Sequence, residues 1–153
     1  MNDNRFLSVS GIVLRDDKVL LVRQSYGPAK GLLIIPGGYL QEKEMPDKAL
    51  EREVYEETGV VVKTHSLVAI RFSKKDWWAI FLADYISGEP VSDNNENTDV
   101  LFLDIEEALK RTDLTYTTKE ILSNYNIKQT MHKIDFCPRG VDTNDYQLFM
   151  QQH

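Results

Sequence analysis

The chain has 153 residues, 42% of them hydrophobic, which is enough for one domain with its own core. Its net charge of −6 argues against a DNA-coating protein, because duplex binders usually carry basic surfaces. The lone cysteine, Cys137, excludes an internal disulfide and favours a reducing compartment, so we expect a cytoplasmic protein. We find neither a signal-peptide core at the start nor a run of roughly 18 apolar residues that would cross a membrane.

The first third of the chain predicts a hairpin, a short strand and a turn. Residues 6–14 alternate as a strand, and residues 19–23 return as its partner after a polar turn. The apolar residues 32–35 predict a third strand. It leads into a turn at Pro36-Gly37-Gly38.

A helix is predicted from Pro46 to Thr58. Pro46 suits a first helical turn, where a missing N–H costs nothing, and Asp47 suits the positive end of the helix dipole. Gly59 can adopt the left-handed backbone conformation that commonly ends a helix. Apolar residues on one side of this segment predict the face that packs on the sheet.

The second half predicts further strands and then two helices. Strands are expected at 60–72, with an irregularity near 64–66, and at 77–86 and 100–103. Asp104 begins a capping-box pattern for a short helix, and Thr117 or Thr118 can cap a last helix that runs to about residue 127. This order indicates an α/β or α+β fold with a mixed sheet covered on both sides. We divide the chain into a domain of residues 1–128 and a C-terminal arm, 129–153, which is either packed or disordered.

Three carboxylates share one face of the predicted helix, because Glu53, Glu56 and Glu57 are spaced three and four residues apart. Such like charges repel, and a hard divalent cation removes that penalty. Mg²⁺ prefers oxygen ligands and is often shared between carboxylates and substrate phosphates. Arg52 can hold one carboxylate in place with its always-charged, forked guanidinium.

The wider pattern resembles the Nudix box. Seven positions fix it: Gly38, Glu44, Arg52, Glu53, Glu56, Glu57 and Gly59. Chance agreement at all seven is on the order of 10⁻⁹ per start site. The resemblance extends over roughly residues 5 to 110, although Lys43 stands where the family often has glycine.

The resemblance implies a Nudix-type α/β/α sandwich with a mixed β-sheet. It also implies Mg²⁺-dependent hydrolysis of a nucleoside diphosphate linked to another group, by attack of a metal-bound water on phosphorus. Mn²⁺ is an alternative cofactor, and a homodimer is expected. The implied metal ligands are the carboxylates of Glu53, Glu56 and Glu57 and the carbonyl of Gly38. Glu44 and Arg52 support them, and the proton acceptor is either Glu53 or Glu96.

Five further residues are candidates for substrate binding: Arg23, Tyr39, Arg71, Trp77 and Trp78. The two arginines can hold phosphate oxygens, and an aromatic face can stack on a nucleobase. Trp77 and Trp78 point to opposite faces of their strand, so we expect one to stack and the other to pack.

The substrate class stays open within the family. The segment after the box lacks a sequence like S-Q-P-W-P-x-S, which argues against the NADH pyrophosphatase branch. It also lacks the proline expected of ADP-ribose hydrolases, where residues 75–77 stand instead.

Two alternatives remain beside hydrolysis of a small nucleotide-type substrate. One is a non-catalytic module that senses a nucleotide, although such modules usually lose box glutamates. The other is an RNA-cap hydrolase, for which the sequence offers no basic stripe.

Overall fold

The computed structural model describes residues 5–152, and within them the chain forms nine strands and three α-helices. In order these are β1 (Phe6–Arg15), β2 (Lys18–Gln24), β3 (Leu33–Ile34), β4 (Gly37–Tyr39), α1 (Pro46–Thr58), β5 (Val61–Phe72), β6 (Asp76–Ser87), β7 (Asn97–Asp104), α2 (Ile105–Leu109), α3 (Tyr116–Asn124), β8 (His132–Lys133) and β9 (Phe149–Met150). None of the helices in this part of the chain is both long and apolar enough to cross a membrane.

Strands β1 to β7 form one mixed sheet. β1 runs parallel to β6, which pairs antiparallel with β5. The other edge of β1 pairs with β4 over residues 8–10 and with the start of β2 at its far end. β2 then pairs with β3 on one edge and β7 on the other, both antiparallel. The predicted mixed sheet is confirmed.

Two apolar layers lie on opposite faces of this sheet, because successive strand residues point to opposite sides. Val13 and Phe81 pack with Leu50 of α1, whereas Ile12 and Ile80 pack towards α2 and α3. Burying a side chain of this kind stabilises the fold by about 1.5–3 kcal/mol. The α/β/α arrangement expected from the sequence is therefore confirmed, with α1 packed on one face of the sheet.

Helix α1 has the predicted bounds. Pro46 is its first residue, and Gly59 ends it at φ 74° with its N–H donating to the carbonyl of Tyr55. The buried face includes Ala49, Leu50 and Val54, and near the C-terminal end of the helix it also includes Glu57. The expected irregularity in β5 is also present, as register shifts that include one between residues 64 and 66.

The Pro36-Gly37-Gly38 prediction was wrong in part. Gly37 and Gly38 belong to β4 rather than to a turn, and they lie opposite Ser10 and Val9 of β1. A Cβ on Gly37 would overlap the carbonyl oxygen of Val9, so only glycine lets the two backbones approach this closely.

Three boundaries in the second half differ from the prediction. β7 begins at Asn97 rather than at residue 100, because its pairing with β2 continues past a bulge to Gln24. Asp104 precedes α2 but makes no side-chain capping bond, since its backbone ends β7 opposite Lys18. Helix α3 is capped by Thr115, two or three residues earlier than expected, and it ends at Asn124.

The segment after residue 128 contacts the domain. Met131 and Leu67 exchange both backbone hydrogen bonds, at 2.7 and 2.9 Å, and β8 pairs with β9. The ring of Phe149 lies edge-on to Phe81, with centroids 5.7 Å apart. The division at residue 128 itself stays a prediction.

Candidate active site

Three carboxylates meet at the C-terminal half of α1. Glu53 and Glu57 come from the helix and Glu96 from the loop between β6 and β7, and each offers an oxygen within 4.8 Å of the others. Asn97, almost fully buried, fixes that loop by donating from its side-chain nitrogen to the carbonyl of Glu57 at 2.8 Å. We call Glu53, Glu57 and Glu96 the carboxylate cluster.

The carboxylate cluster is electrostatically strained without a cation. Glu57 is only 8% exposed, and burial, followed by the charges of Glu53 and Glu96, raises its pKa to about 9. Burial also raises the pKa of Glu53, against the opposing effect of the Arg52 guanidinium. Oxygen-only donors that resist simultaneous ionisation fit a hard divalent cation such as Mg²⁺.

Arg52 ties the cluster to the loop that precedes α1. Its Nε and Nη2 donate to the two carboxylate oxygens of Glu44 at 2.8 and 2.9 Å, and Nη2 also reaches the carbonyl of Tyr39. Its Nη1 donates to Glu53 at 2.8 Å and to Glu56 at 3.1 Å. The hydrogen bond from Arg52 lowers the pKa of Glu44, which therefore stays ionised as an anchor. The guanidinium fork holds three carboxylates at once, as a lysine could not.

The structure separates the three box glutamates. Glu56 lies on Arg52 with its side chain 55% exposed, whereas Glu96 joins Glu53 and Glu57. The roles predicted for Glu56 and for the Gly38 carbonyl as metal ligands stay predictions. A Cβ on Gly38 would overlap the Glu53 carboxylate, so this position requires glycine if that carboxylate is to keep its place.

A cavity of about 480 Å³ lies beside β4, within the size range of small-molecule sites. Of the candidate substrate residues, Tyr39, Arg71 and Trp78 line it. Trp77 points to the opposite face of the sheet and packs edge-on against Phe72 at 5.0 Å.

Arg23 is held away from this cavity by an acidic partner. Its Nη1 donates to the carboxylate of Asp113 and to the carbonyl of Gly31, each at 2.9 Å. Asp113 in turn accepts two hydrogen bonds from Arg111, and these bonds keep its pKa well below the usual range. Arg23 thus anchors the start of α3 to the sheet.

Several lining residues were not predicted. Ser8 and Asp76 reach the cavity because β1 and β6 pair in parallel, and Thr115 and Thr118 reach it from the start of α3. The motif carries no signal for these residues. The register of distant strands and the contact of α3 with β3 bring them to the site.

A second, larger groove of about 1010 Å³ lies away from the carboxylate cluster, between the β1–β2 turn and the two C-terminal helices. Its acidic lining residues are Asp16, Asp17, Asp104, Glu106 and Glu107. Glu107 pairs with Lys110 at 3.3 Å, and the acidic lining as a whole would repel a polyphosphate.

The sequence model of the NUDIX domain matches residues 4–125, which is most of the chain. The chain belongs to the Nudix family. The predicted enzyme class, a Nudix pyrophosphohydrolase, is thereby confirmed.

Two groups of relatives are similar to this Nudix protein. An "ADP-ribose pyrophosphatase" of Methanocaldococcus jannaschii is 29% identical over 126 residues, covering 78% of this chain and 72% of the relative. An "NAD-capped RNA hydrolase NudC" of Haemophilus influenzae is 29% identical over 139 residues, or 84% of this chain. The chain spans only 51% of the length of that second relative.

Solved Nudix structures share the fold. A Nudix hydrolase from Nitrosomonas europaea superposes with a TM-score of 0.71 at 21% identity, over 80% of this chain and 70% of the other. A MutT Nudix hydrolase from Burkholderia pseudomallei gives a TM-score of 0.68 at 22% identity, over 78% and 96% of the two chains. At these identities the match establishes the fold alone.

Proposed function

We propose that this Nudix protein hydrolyses a phosphoanhydride bond in a nucleoside diphosphate linked to another group, with Mg²⁺ as its cofactor. The observation that carries the proposal is the carboxylate cluster, which lies directly beside a cavity of small-molecule size. The similarity to an ADP-ribose pyrophosphatase supports the same class of substrate.

Glu53, Glu57 and Glu96 would hold the cation, with Glu56 and the Gly38 carbonyl as further candidates from the Nudix box. When bound, Mg²⁺ supplies a polarised phosphoryl oxygen and a water that is more acidic than bulk water. Arg52 fixes Glu53 in place, and Asn97 fixes the loop that carries Glu96.

Hydrolysis needs a proton acceptor beside the attacking water. A new oxygen–phosphorus bond forms as the bridging oxygen–phosphorus bond breaks, and one water proton passes to a carboxylate oxygen. Glu53 and Glu96 both remain candidates for that acceptor. Glu96 is exposed, whereas Glu53 is held by Arg52. The products are a nucleoside monophosphate and the phosphorylated second group.

The test is a hydrolysis screen after removal of divalent cations and again after adding Mg²⁺ or Mn²⁺. The panel contains ADP-ribose, UDP-glucose, NADH, nucleoside triphosphates and dinucleoside polyphosphates. We expect turnover of at least one two-phosphate compound, and only with metal. Tight nucleotide binding without any turnover would instead support the sensing module, and metal-independent turnover would contradict the role of the cluster.

Hydrolysis of capped RNA is a second candidate, favoured by the similarity to NAD-capped RNA hydrolases. It would use the same carboxylates, because such a cap also contains a diphosphate. The net charge of −6 opposes affinity for the RNA chain itself. A cytoplasmic location and a homodimer stay predictions from the sequence.

A further inference from the structure

The cavity beside β4 has no net charge. Among the described residues that line it, Arg71 and Asp76 are the charged ones, and they pair with each other at 2.7 Å. The same oxygen of Asp76 accepts from the hydroxyl of Ser73 at 2.8 Å, and its other oxygen lies 3.5 Å from the hydroxyl of Ser8. Asp76 therefore both neutralises Arg71 and fixes its position.

Arg71 and Trp78 form one wall of this cavity. They are register partners across β5 and β6, and the guanidinium carbon lies 5.3 Å from the centre of the indole ring. Indole and guanidinium planes are the surfaces on which proteins stack nucleobases. Tyr39 adds a second aromatic side chain from β4.

The facing wall offers neutral hydrogen-bonding groups. The hydroxyl of Thr115 accepts from the backbone N–H of Thr118 at 3.3 Å and bonds to the Thr118 hydroxyl at 2.8 Å. The start of α3 is thus capped by its own side chains. These hydroxyls and the amide of Gln24 suit a ribose or a base edge better than a phosphate, which calls for a free cation.

The cavity borders the carboxylate cluster through two glycines of β4. Gly37 and Gly38 line it, and Gly38 lies against Glu53. Tyr26 also lines it, and burial together with the negative charges of the cluster raises its pKa. A diphosphate at the cluster would extend its attached group into this space.

We propose that the cavity holds the uncharged nucleoside of a two-phosphate substrate, and that Asp76, by neutralising Arg71, selects against substrates with a further phosphate on that nucleoside. The inference rests on the proposed function for the position of the diphosphate. Asp76 is a specificity-determining residue in this account.

The stacking wall is tested with a matched pair of variants, Trp78→Leu and Trp77→Leu, since the two tryptophans are adjacent and face opposite sides of β6. Calorimetry without divalent cations measures binding of AMP and UMP, and kinetics with Mg²⁺ measure KM for ADP-ribose and UDP-glucose. Trp78→Leu is expected to weaken binding and raise KM at least about tenfold, while Trp77→Leu leaves both unchanged. Trp78→Phe should keep most of the affinity.

The charge pair is tested with Asp76→Asn, and Asp84→Asn, an exposed acid on the same strand, is its control. The measurement is the ratio of kcat/KM for ADP-ribose to that for ADP-ribose 2′-phosphate, which differ by one phosphate on the nucleoside. Asp76→Asn releases Arg71 to bind that phosphate, so the ratio should fall about tenfold, whereas Asp84→Asn should not change it.

The outcomes separate this inference from the proposed function. Nucleotide binding that is lost only in Trp78→Leu sustains the nucleoside site even if no substrate is hydrolysed. If both tryptophan variants hydrolyse substrate with the KM and the nucleotide affinity of the parent, the inference is overturned and the proposed function stays intact. If the parent protein binds neither AMP nor UMP, the inference is also overturned. If both Trp78 variants fail to fold, the ratio in Asp76→Asn decides, and an unchanged ratio overturns the inference.

Discussion

Glu57 is the carboxyl group of the site whose ionisation is most strongly disfavoured. Its pKa of about 9, caused first by burial and then by Glu53 and Glu96, means that the metal-free folded protein keeps this group protonated at neutral pH. The unfolded chain ionises it near the ordinary glutamate pKa. The folded state therefore binds one more proton than the unfolded state over the window between these two values.

We predict that the metal-free protein loses stability as pH rises from about 5 to 9. Because the folded-state pKa is raised, the stability due to this group is fully present below the unfolded pKa and is lost on approach to the folded pKa. The slope is up to about 1.4 kcal/mol per pH unit. Urea unfolding at several pH values measures it, with Glu57→Gln as the comparison. A parent and a variant with parallel pH profiles would show that Glu57 ionises normally.

Alanine substitutions at the two adjacent glycines of β4 should have different effects, one on kcat and the other on stability. In Gly38→Ala the new Cβ meets the movable end of Glu53, so the protein should fold while kcat falls at least about tenfold. In Gly37→Ala the Cβ meets the backbone of Val9, so stability itself should fall. Thermal melts and initial rates of the two variants check this contrast. A fully active Gly38→Ala protein would argue against a fixed position for Glu53.

Some residues at the site could be predicted from the sequence and others could not. The spacing of Arg52, Glu53 and Glu57 on a helix is local, so the sequence alone was enough to place them together. The resemblance offered Glu96 only as a candidate proton acceptor. Its place beside the helix carboxylates depends on a contact between Asn97 and the end of α1, forty residues apart in the chain, which no local pattern encodes. Lys43, found where the family often has glycine, adopts φ 61°, a left-handed conformation that explains the family's preference.

At the scale of elements, local signals placed α1 and most strands but missed β4 and the short strands β8 and β9. Proline, glycine and apolar spacing define α1 without help from the rest of the chain. The sequence of β4 predicts a turn because its glycines have a low strand propensity. Its pairing with β1 makes it a strand. The earlier start of α3 likewise depends on the backbone N–H of Thr115, which donates to the carbonyl of Leu33 in β3.

The C-terminal arm is predicted to stabilise the domain, although it lies beyond the residues that match the family. Met131 and Phe149 pack against the apolar layer beneath α1, and Met131 bonds to the backbone of β5. A chain ending at residue 128 should lose roughly 2–5 kcal/mol of unfolding free energy, as for the loss of large core side chains. Denaturant unfolding compares it with the full chain. Equal midpoints would show that the arm contributes nothing to stability.

On the scale of the whole molecule, the sheet brings the carboxylate cluster and the cavity beside β4 next to each other. α1 supplies the carboxylates on one side, and the parallel pairing of β1 with β6 builds the neutral cavity on the other. The alternation of apolar residues predicted the layers. The same alternation could not predict which strands pair, because many pairings and registers bury the same apolar residues.

The net charge of −6 predicts small substrates rather than RNA. A capped 20-nucleotide RNA should bind no more tightly than its free cap dinucleotide, because the acidic surface gains nothing from the added phosphates. Competition binding at two salt concentrations measures both affinities. An RNA affinity that is higher and falls steeply with salt would favour the capped-RNA alternative.

The most direct test of the account is the Mg²⁺-dependent kcat of Glu57→Gln on the best substrate of the screen. Glu106→Gln, an exposed acid on α2, serves as the control for loss of one negative charge. We predict that Glu57→Gln stays folded and loses about 100-fold or more in kcat, while Glu106→Gln keeps the parent rate. Unchanged turnover in Glu57→Gln would show that the carboxylate cluster is not the centre of the chemistry.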